Sequence, residues 1–201
     1  MDTQIVSNYL TIRQTKIHYL EAKSSSTNAV LFLHGASFKA QTWLDLGTLA
    51  WLANKGYRTV AVDLPGYGES DAMSGNRENL LLELLESLSL VKPVIVSPSM
   101  SGRYSLPLVV NHSDKLTGFV AVAPVGIVSF EAQLPTVAVP TLAIWGSNDS
   151  IVPVAQADRL CQQMPDAELI ILKNAGHACY MRATDEFHRH LLKFVERCYQ
   201  K

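Results

Sequence analysis

Cysteines are few in this chain, and their spacing forms no recognisable pattern. Cys161, Cys179 and Cys198 are odd in number and lack C-x-x-C spacing. Such usage argues against a disulfide framework and against a structural zinc site, and it is typical of proteins in a reducing compartment. The N-terminus also lacks a basic segment followed by an apolar one. We therefore expect no signal peptide and a cytoplasmic location, with the nucleus as the alternative in a eukaryote.

Long apolar runs and an excess of charge of one sign are missing as well. No apolar run approaches the roughly 20 residues that a membrane-spanning helix needs, so we expect no membrane insertion. The formal net charge is -1, from 17 Lys and Arg against 18 Asp and Glu. Nucleic-acid binding depends on clustered basic residues, and this charge balance therefore argues against a nucleic-acid partner.

What the sequence has in quantity is apolar residues, which make up 48% of it against 17% charged residues. This composition is typical of a globular protein with a buried sheet and differs from that of disordered chains. At 201 residues the chain can fill one core, whereas two domains would both be undersized. We therefore expect a single domain over residues 1–201.

The spacing of the apolar residues predicts an α/β fold. Alternation over residues 9–12 and 16–20 predicts a β-hairpin at the antiparallel edge of a sheet. Strands covered on both faces are almost continuously apolar, and six later segments have this character: 29–33, 59–62, 94–96, 119–122, 141–145 and 168–172. Amphipathic stretches between and after them predict helices over 42–54, 80–90, 103–110, 155–164 and 185–199. This order predicts a doubly wound, mostly parallel sheet with helices on both faces.

A run of serines follows the predicted strand at 94–96, at the sheet edge where open α/β folds bind ligands. It reads Ser97-Pro98-Ser99-Met100-Ser101-Gly102. A sharp strand-to-helix turn that presents a nucleophile needs small residues two positions before and two positions after it. Only Ser99, flanked by Ser97 and Ser101, meets this condition. Serines replace both glycines of the G-x-S-x-G pattern, so a serine-rich turn that caps a helix is the alternative interpretation.

Candidate oxyanion donors lie in two loops of the predicted sheet. An acyl-transfer enzyme needs two backbone amides for the negative oxygen of its tetrahedral intermediate, one after the nucleophile and one after the first buried strand. These amides would be those of Met100 and Ala36. His34 stands at the end of that strand, directly before Gly35. We interpret His34 as a hydrogen-bonding residue that holds the loop, and not as a catalytic base.

An acid and a base follow the last two predicted strands. Asp149 ends the segment Gly146-Ser147-Asn148-Asp149, and His177 ends the segment Asn174-Ala175-Gly176-His177. With Ser99 they give the chain order nucleophile, acid, base. His177 would accept the proton of Ser99, and Asp149 would hold the other ring nitrogen. Each residue taken alone could also be an ordinary loop residue.

The remaining histidines are interpreted as surface residues. They lie in the predicted hairpin or in helices and lack companions at metal-ligand spacing, so we expect no metal site. These residues are His18, His112, His188 and His190.

With these residues in place, the chain resembles the α/β-hydrolase superfamily over nearly its full length. The resemblance rests on His34-Gly35, the elbow at Ser99, the loops at Asp149 and His177, and the segment Asp63-Leu64-Pro65-Gly66-Tyr67-Gly68-Glu69-Ser70. Residues 97–107 and 41–49 are similar to the small abhydrolase-domain proteins of subfamily fourteen. This resemblance implies a cytosolic or nuclear serine hydrolase of small acyl esters that requires no cofactor. It also implies a candidate transfer of acyl groups from protein lysine to coenzyme A.

The resemblance also bears on the substrate. Larger relatives insert a helical cap domain where this chain has only residues 124–140, which implies a minimal cap and an open site. An open site favours short acyl groups, or an acyl group carried by a large partner protein. Lys39 and Arg103 could meet an anionic acceptor such as coenzyme A, although solvated surface charges are the commoner case. A non-catalytic interaction module with this fold, or a lyase, is the alternative function.

Overall fold

A computed structural model of the chain describes residues 3–75 and 79–200, and within them eight strands form one sheet. The strands are β1 (Ile5–Ile12), β2 (Thr15–Ala22), β3 (Ala29–Phe32), β4 (Arg58–Val62), β5 (Val94–Pro98), β6 (Gly118–Val122), β7 (Thr141–Gly146) and β8 (Ala167–Leu172). Their order across the sheet is β1-β2-β4-β3-β5-β6-β7-β8. β2 pairs antiparallel with β1 and β4, and every later pair is parallel. The predicted hairpin and mostly parallel sheet are confirmed.

Seven α-helices lie in the same described ranges. They are α1 (Ala40–Asp45), α2 (Thr48–Ala53), α3 (Leu80–Ser87), α4 (Gly102–Asn111), α5 (Ala155–Gln163), α6 (Cys179–Arg182) and α7 (Thr184–Tyr199). The prediction of a single helix over 42–54 is wrong, because the helix is interrupted at Gly47, between α1 and α2. This glycine has a φ of 70°, a left-handed conformation that a residue without a Cβ adopts at little cost. The other predicted helices are present with small differences at their ends.

The sheet is buried on both faces, which explains its continuous apolar strands. In β3, Leu31 contributes to a core that includes side chains of α3, α4 and α5. Its neighbours Val30 and Phe32 point the other way, into a core with side chains of α1, α2 and α7. All three side chains are fully buried. The chain is thus doubly wound, and the loops after the parallel strands gather at one edge.

Segment 124–140, at the predicted cap position, forms two short 3-10 turns. They span Ile127–Phe130 and Leu134–Thr136, and the part of the chain described there contains no α-helix. Leu134 and Val137 bury their side chains against the core below. Across the described residues, no helix is both long enough and apolar enough to cross a membrane. Residues 1 and 2, part of the N-terminus considered above, lie outside the described ranges.

The interpretation of His18 and His188 as surface residues is wrong. His18 is only 4% exposed, and its ring nitrogens lie 2.8 Å from Asp63 Oδ2 and 2.9 Å from Ser7 Oγ. His188 is 8% exposed, and its Nε2 lies 2.8 Å from Thr48 Oγ1. Buried polar side chains need hydrogen-bond partners, and both histidines have them. Asp63 and Thr48 are distant in sequence from the histidines that they contact, so local patterns do not show these two contacts.

Candidate active site

The segment around Ser99 forms a sharp turn between a strand and a helix. β5 ends at Pro98, a 3-10 turn covers Ser99–Ser101, and α4 begins at Gly102. Ser99 has a φ of 52°, and a residue other than glycine in this region costs about 1–3 kcal/mol unless its surroundings fix it. One such restraint is the Val125 amide, which donates to the Ser99 carbonyl at 2.9 Å. A Cβ at Gly102 would lie 2.4 Å from the Val125 carbonyl oxygen, so only glycine allows this close approach.

Ser99, His177 and Asp149 come together in one line of hydrogen bonds. Ser99 Oγ lies 2.7 Å from His177 Nε2, and His177 Nδ1 lies 2.8 Å from Asp149 Oδ2. The Asp149 side chain is fully buried, and its Oδ1 accepts the amides of Ile151 and Val152, each at 2.9 Å. The carboxylate can therefore hold a proton on Nδ1, which leaves Nε2 free to accept the Ser99 proton.

The loops that carry Asp149 and His177 run against each other. The Asn148 amide donates to the Ala175 carbonyl, and the Ser147 amide donates to the Leu172 carbonyl, both at 2.9 Å. At Gly146, an added Cβ would lie 2.2 Å from the carbonyl oxygen of Gly176. The close packing at this glycine is what allows Asp149 to reach His177.

Both predicted oxyanion donors lie at the same edge of the sheet as Ser99. A Cβ built on Gly35 would lie 3.4 Å from Ser99 Cβ, so the loop that carries Ala36 passes beside Ser99. The Met100 amide shares a peptide plane with the Ser99 carbonyl, which the Val125 amide holds. Because N–H and C=O point in opposite directions in a trans peptide, this hydrogen bond also sets the direction of the Met100 N–H.

The interpretation of His34 as a loop-holding residue is confirmed. Its Nε2 accepts the Leu64 amide at 2.9 Å, and its Nδ1 therefore carries the proton that it donates to the Gly35 carbonyl at 2.9 Å. Burial lowers the pKa of His34, which favours this neutral form. The ring joins the Gly35 loop to the loop after β4 through these two hydrogen bonds.

Asp63 has a role that the sequence analysis missed. It is 1% exposed, and its Oδ1 accepts the Ala40 amide at the start of α1 at 2.6 Å. Its Oδ2 accepts the Glu69 amide at 2.9 Å and lies 2.8 Å from His18 Nδ1. Asp63 therefore holds the far end of the loop that carries Ala36. The available signal was a carboxylate directly after a buried strand, which appeared above only as part of a resemblance.

Other candidate groups contribute less to the site. Lys39 and Arg103 are exposed, and neither forms an ion pair with residues in the described ranges. Among those residues, no three His, Cys, Asp or Glu side chains converge to hold a metal ion.

Burial raises the pKa of the Cys161 thiol to about 11 and that of Cys179 to about 12. Reactive cysteines need a lowered pKa, so neither thiol competes with Ser99 as a nucleophile.

The sequence is similar to proteins of known family. Residues 30–135 match the model described as "Alpha/beta hydrolase family", and residues 122–197 match that of "TAP-like protein". The chain is 43% identical to Protein ABHD14A of Danio rerio, over 84% of this chain and 64% of that protein. It is 38% identical to a Homo sapiens protein named "Putative protein-lysine deacylase ABHD14B", over 84% of this chain and 83% of that protein.

The structure is similar to solved hydrolases. A crystal structure from Thermoplasma acidophilum, described as that of a predicted CIB-like hydrolase, superposes with a TM-score of 0.92 at 23% sequence identity. The match covers 96% of this chain and 99% of that one. An esterase from Exiguobacterium antarcticum superposes with a TM-score of 0.83 at 17% identity, over 95% and 100% of the two chains. At these identities the likeness shows a shared fold.

Proposed function

Because the chain belongs to the α/β hydrolase family, we propose that it is a serine esterase that cleaves short acyl esters through an acyl-enzyme on Ser99. One observation carries this proposal. Ser99 Oγ, His177 and Asp149 form a continuous line of hydrogen bonds of 2.7 and 2.8 Å. Serine is a weak nucleophile unless a neighbouring base accepts its proton, and this line supplies the base and the group that orients it.

The reaction follows from this arrangement in two halves. Ser99 Oγ attacks the acyl carbon while His177 Nε2 takes its proton, and the carbonyl electrons move onto the oxygen. The amides of Ala36 and Met100 donate to that oxygen. When the intermediate collapses, the bond to the leaving group breaks, and the leaving group takes the proton from His177. Water then repeats the sequence on the acyl-enzyme, releases the acid and restores Ser99.

We extend the proposal to acyl groups carried by protein lysine. The human relative is named "Putative protein-lysine deacylase ABHD14B", and segment 124–140 inserts no α-helix above the sheet edge. A large acylated partner could therefore approach Ser99. Coenzyme A is the candidate acyl acceptor in place of water, with its thiol attacking the acyl-enzyme. The cytoplasmic or nuclear location stays a prediction.

The direct test is Ser99→Ala. We expect kcat/KM for p-nitrophenyl acetate to fall by more than about 10³-fold, because the triad acts as a unit. A fluorophosphonate probe should label the parent protein and not Ser99→Ala. Ser25→Ala, at an exposed serine outside the site, serves as the control and should keep the parental rate. Parental hydrolysis by Ser99→Ala would refute the proposal, and a parent that neither hydrolyses nor reacts would indicate an interaction module.

The same protein preparations test the acyl acceptor. An acetyl-lysine peptide is incubated with and without coenzyme A, and the products are identified by mass spectrometry. We expect acetyl-coenzyme A to accumulate with the parent protein and not with Ser99→Ala. Release of acetate alone, at a rate independent of coenzyme A, would contradict the transfer step and leave hydrolysis as the activity.

A further inference from the structure

Three buried serine hydroxyls lie beneath Ser99, and the reaction above uses none of them. Ser97 on β5, Ser101 in the 3-10 turn and Ser105 on α4 are all 0% exposed. Ser97 Oγ lies 2.9 Å from Ser101 Oγ and 2.7 Å from Ser105 Oγ. Ser101 Oγ in turn donates to the Pro98 carbonyl at 2.7 Å. The four groups form one chain of hydrogen bonds across the turn.

The direction in which these hydrogen bonds are donated follows from counting the hydroxyl protons. A hydroxyl has a single proton to donate and can accept through its lone pairs. Ser101 donates its proton to the Pro98 carbonyl, so the contact between Ser97 and Ser101 must have Ser97 as its donor. The contact between Ser97 and Ser105 then has Ser105 as its donor. The protons therefore all point the same way, from α4 through β5 to the carbonyl that precedes Ser99.

This arrangement restrains both peptide groups around the nucleophile. The Pro98 carbonyl belongs to the peptide that enters Ser99, and the hydroxyl chain ends on it. The Ser99 carbonyl belongs to the peptide that leaves it, and the Val125 amide donates to it at 2.9 Å. Between these two restraints Ser99 keeps its unfavourable φ of 52°. Strained residues persist only where their surroundings fix them.

We propose that Ser101 and Ser97 are positioning residues, whose hydroxyls, with Ser105 as the outermost donor, hold Ser99 in line with His177. The proposal rests on the function proposed for Ser99. Serine in place of the usual elbow glycines is then a source of hydrogen bonds and not only a tolerated small residue. The three hydroxyls are unequal. Ser101 contacts the restrained carbonyl, Ser97 supports Ser101, and Ser105 contributes only the outermost donor.

The experiment compares Ser101→Ala, Ser101→Gly, Ser97→Ala and Ser105→Ala with the parent. For p-nitrophenyl acetate we expect kcat to fall by about 10-fold or more in both Ser101 variants, because small displacements of a nucleophile are costly. KM should stay within about twofold, since ground-state binding is retained. The kcat of Ser97→Ala should fall by less than that of the Ser101 variants, and the kcat of Ser105→Ala should stay within about threefold of the parent. The rate of fluorophosphonate labelling should fall in the same order.

A matched control separates positioning from stability. Thr59 is also fully buried, and its hydroxyl donates to the Leu49 carbonyl at 3.1 Å, near the start of β4 and away from Ser99. Thr59→Val should lower the urea midpoint and leave kcat unchanged. If the Ser101 variants do not fold, the order of Ser97→Ala and Ser105→Ala decides the question in their place.

Several outcomes would overturn the proposal. One is a kcat of Ser101→Ala equal to that of the parent. Another is a parental kcat in Ser101→Gly only, which would mean that position 101 needs a small residue and no hydroxyl. Equal kcat in Ser97→Ala and Ser105→Ala would also contradict it. Ser99→Ala, measured in parallel, keeps the two proposals apart. If Ser99→Ala is active, the proposed esterase function is refuted. If Ser99→Ala is inactive and Ser101→Ala is fully active, only the positioning role is refuted.

Discussion

At the scale of single residues, Gly146 governs how closely Asp149 and His177 approach each other. It ends β7, and a Cβ there would lie 2.2 Å from the Gly176 carbonyl oxygen and 2.3 Å from that of Ala175. Both obstacles are backbone atoms, which cannot move aside as the end of a flexible side chain can. The 2.8 Å separation between Asp149 and His177 therefore depends on a glycine three positions before Asp149.

We expect Gly146→Ala to push these two loops apart. kcat for p-nitrophenyl acetate should fall by about 10- to 100-fold, because the base loses its correct orientation. The free energy of unfolding should fall by about 1–3 kcal/mol, as is usual for overpacking. Both are measurable, by steady-state kinetics and by urea unfolding. For stability the control is Gly176→Ala, where the nearest heavy atom to the added Cβ is 4.0 Å away. Parental kcat in Gly146→Ala would contradict the expectation.

At the scale of elements, the last residue of α7, Tyr199, links that helix to the two central strands β3 and β5. The Tyr199 hydroxyl donates to the Ala29 carbonyl at 2.7 Å and accepts the amides of Ala29 at 3.1 Å and Val94 at 3.2 Å. These groups stand at the starts of β3 and β5, the neighbouring strands whose far ends lead to the loop that carries Ala36 and to Ser99. One side chain thus makes hydrogen bonds to three backbone groups at the starts of two neighbouring strands.

We expect Tyr199→Phe to lower the free energy of unfolding by about 1–3 kcal/mol, because it removes partners from buried backbone groups. Urea unfolding measures the change. Tyr57→Phe is the matched control, since its ring lies 5.9 Å from that of Tyr199 and its hydroxyl makes no hydrogen bond within the described part of the chain. Equal stability of the two variants would argue against the role of Tyr199.

The elements also show how far sequence patterns reach. Strand positions and the loops of Ser99, Asp149 and His177 could be predicted, because apolar runs and the residues that follow them are local. The break at Gly47 was missed, because amphipathic spacing continues through it. The burial of His18 was missed for another reason: its partner Asp63 is distant in sequence. The hydrogen bonds among Ser97, Ser101 and Ser105 could not be predicted, because they depend on distances between hydroxyls that the sequence does not contain.

At the scale of the whole molecule, two buried histidines make stability depend on pH. Burial lowers the pKa of His34 and of His188. At His34 the hydrogen bond to the Gly35 carbonyl and the charge of Asp63 act in the opposite direction, and at His188 the charge of Asp185 does so. Histidine in an unfolded chain titrates near about 6.5. The unfolded state therefore binds more protons as the pH falls below that value, and the folded state resists protonation. The stabilising contribution is fully present above this pH and is lost below it.

We therefore expect the free energy of unfolding to fall between about pH 7.5 and pH 5.5. His188→Gln should make the fall shallower, because glutamine can still bond to Thr48 but does not titrate. His190→Gln, on the same helix and more exposed, serves as the control. Urea unfolding at each pH gives the slopes. A slope in His188→Gln as steep as in the parent would contradict this assignment.

The Tyr199 hydroxyl also sets when the fold can be completed during translation. Tyr199 and Ala29 are separated by 170 residues, so β3 leaves the ribosome long before its hydrogen-bond partner is synthesised. Until α7 emerges, the amides of Ala29 and Val94 lack this partner. The apolar face that α7 covers in the folded protein also stays open. We therefore expect a nascent chain with all eight strands to stay open to chaperones and proteases until α7 has emerged and packed.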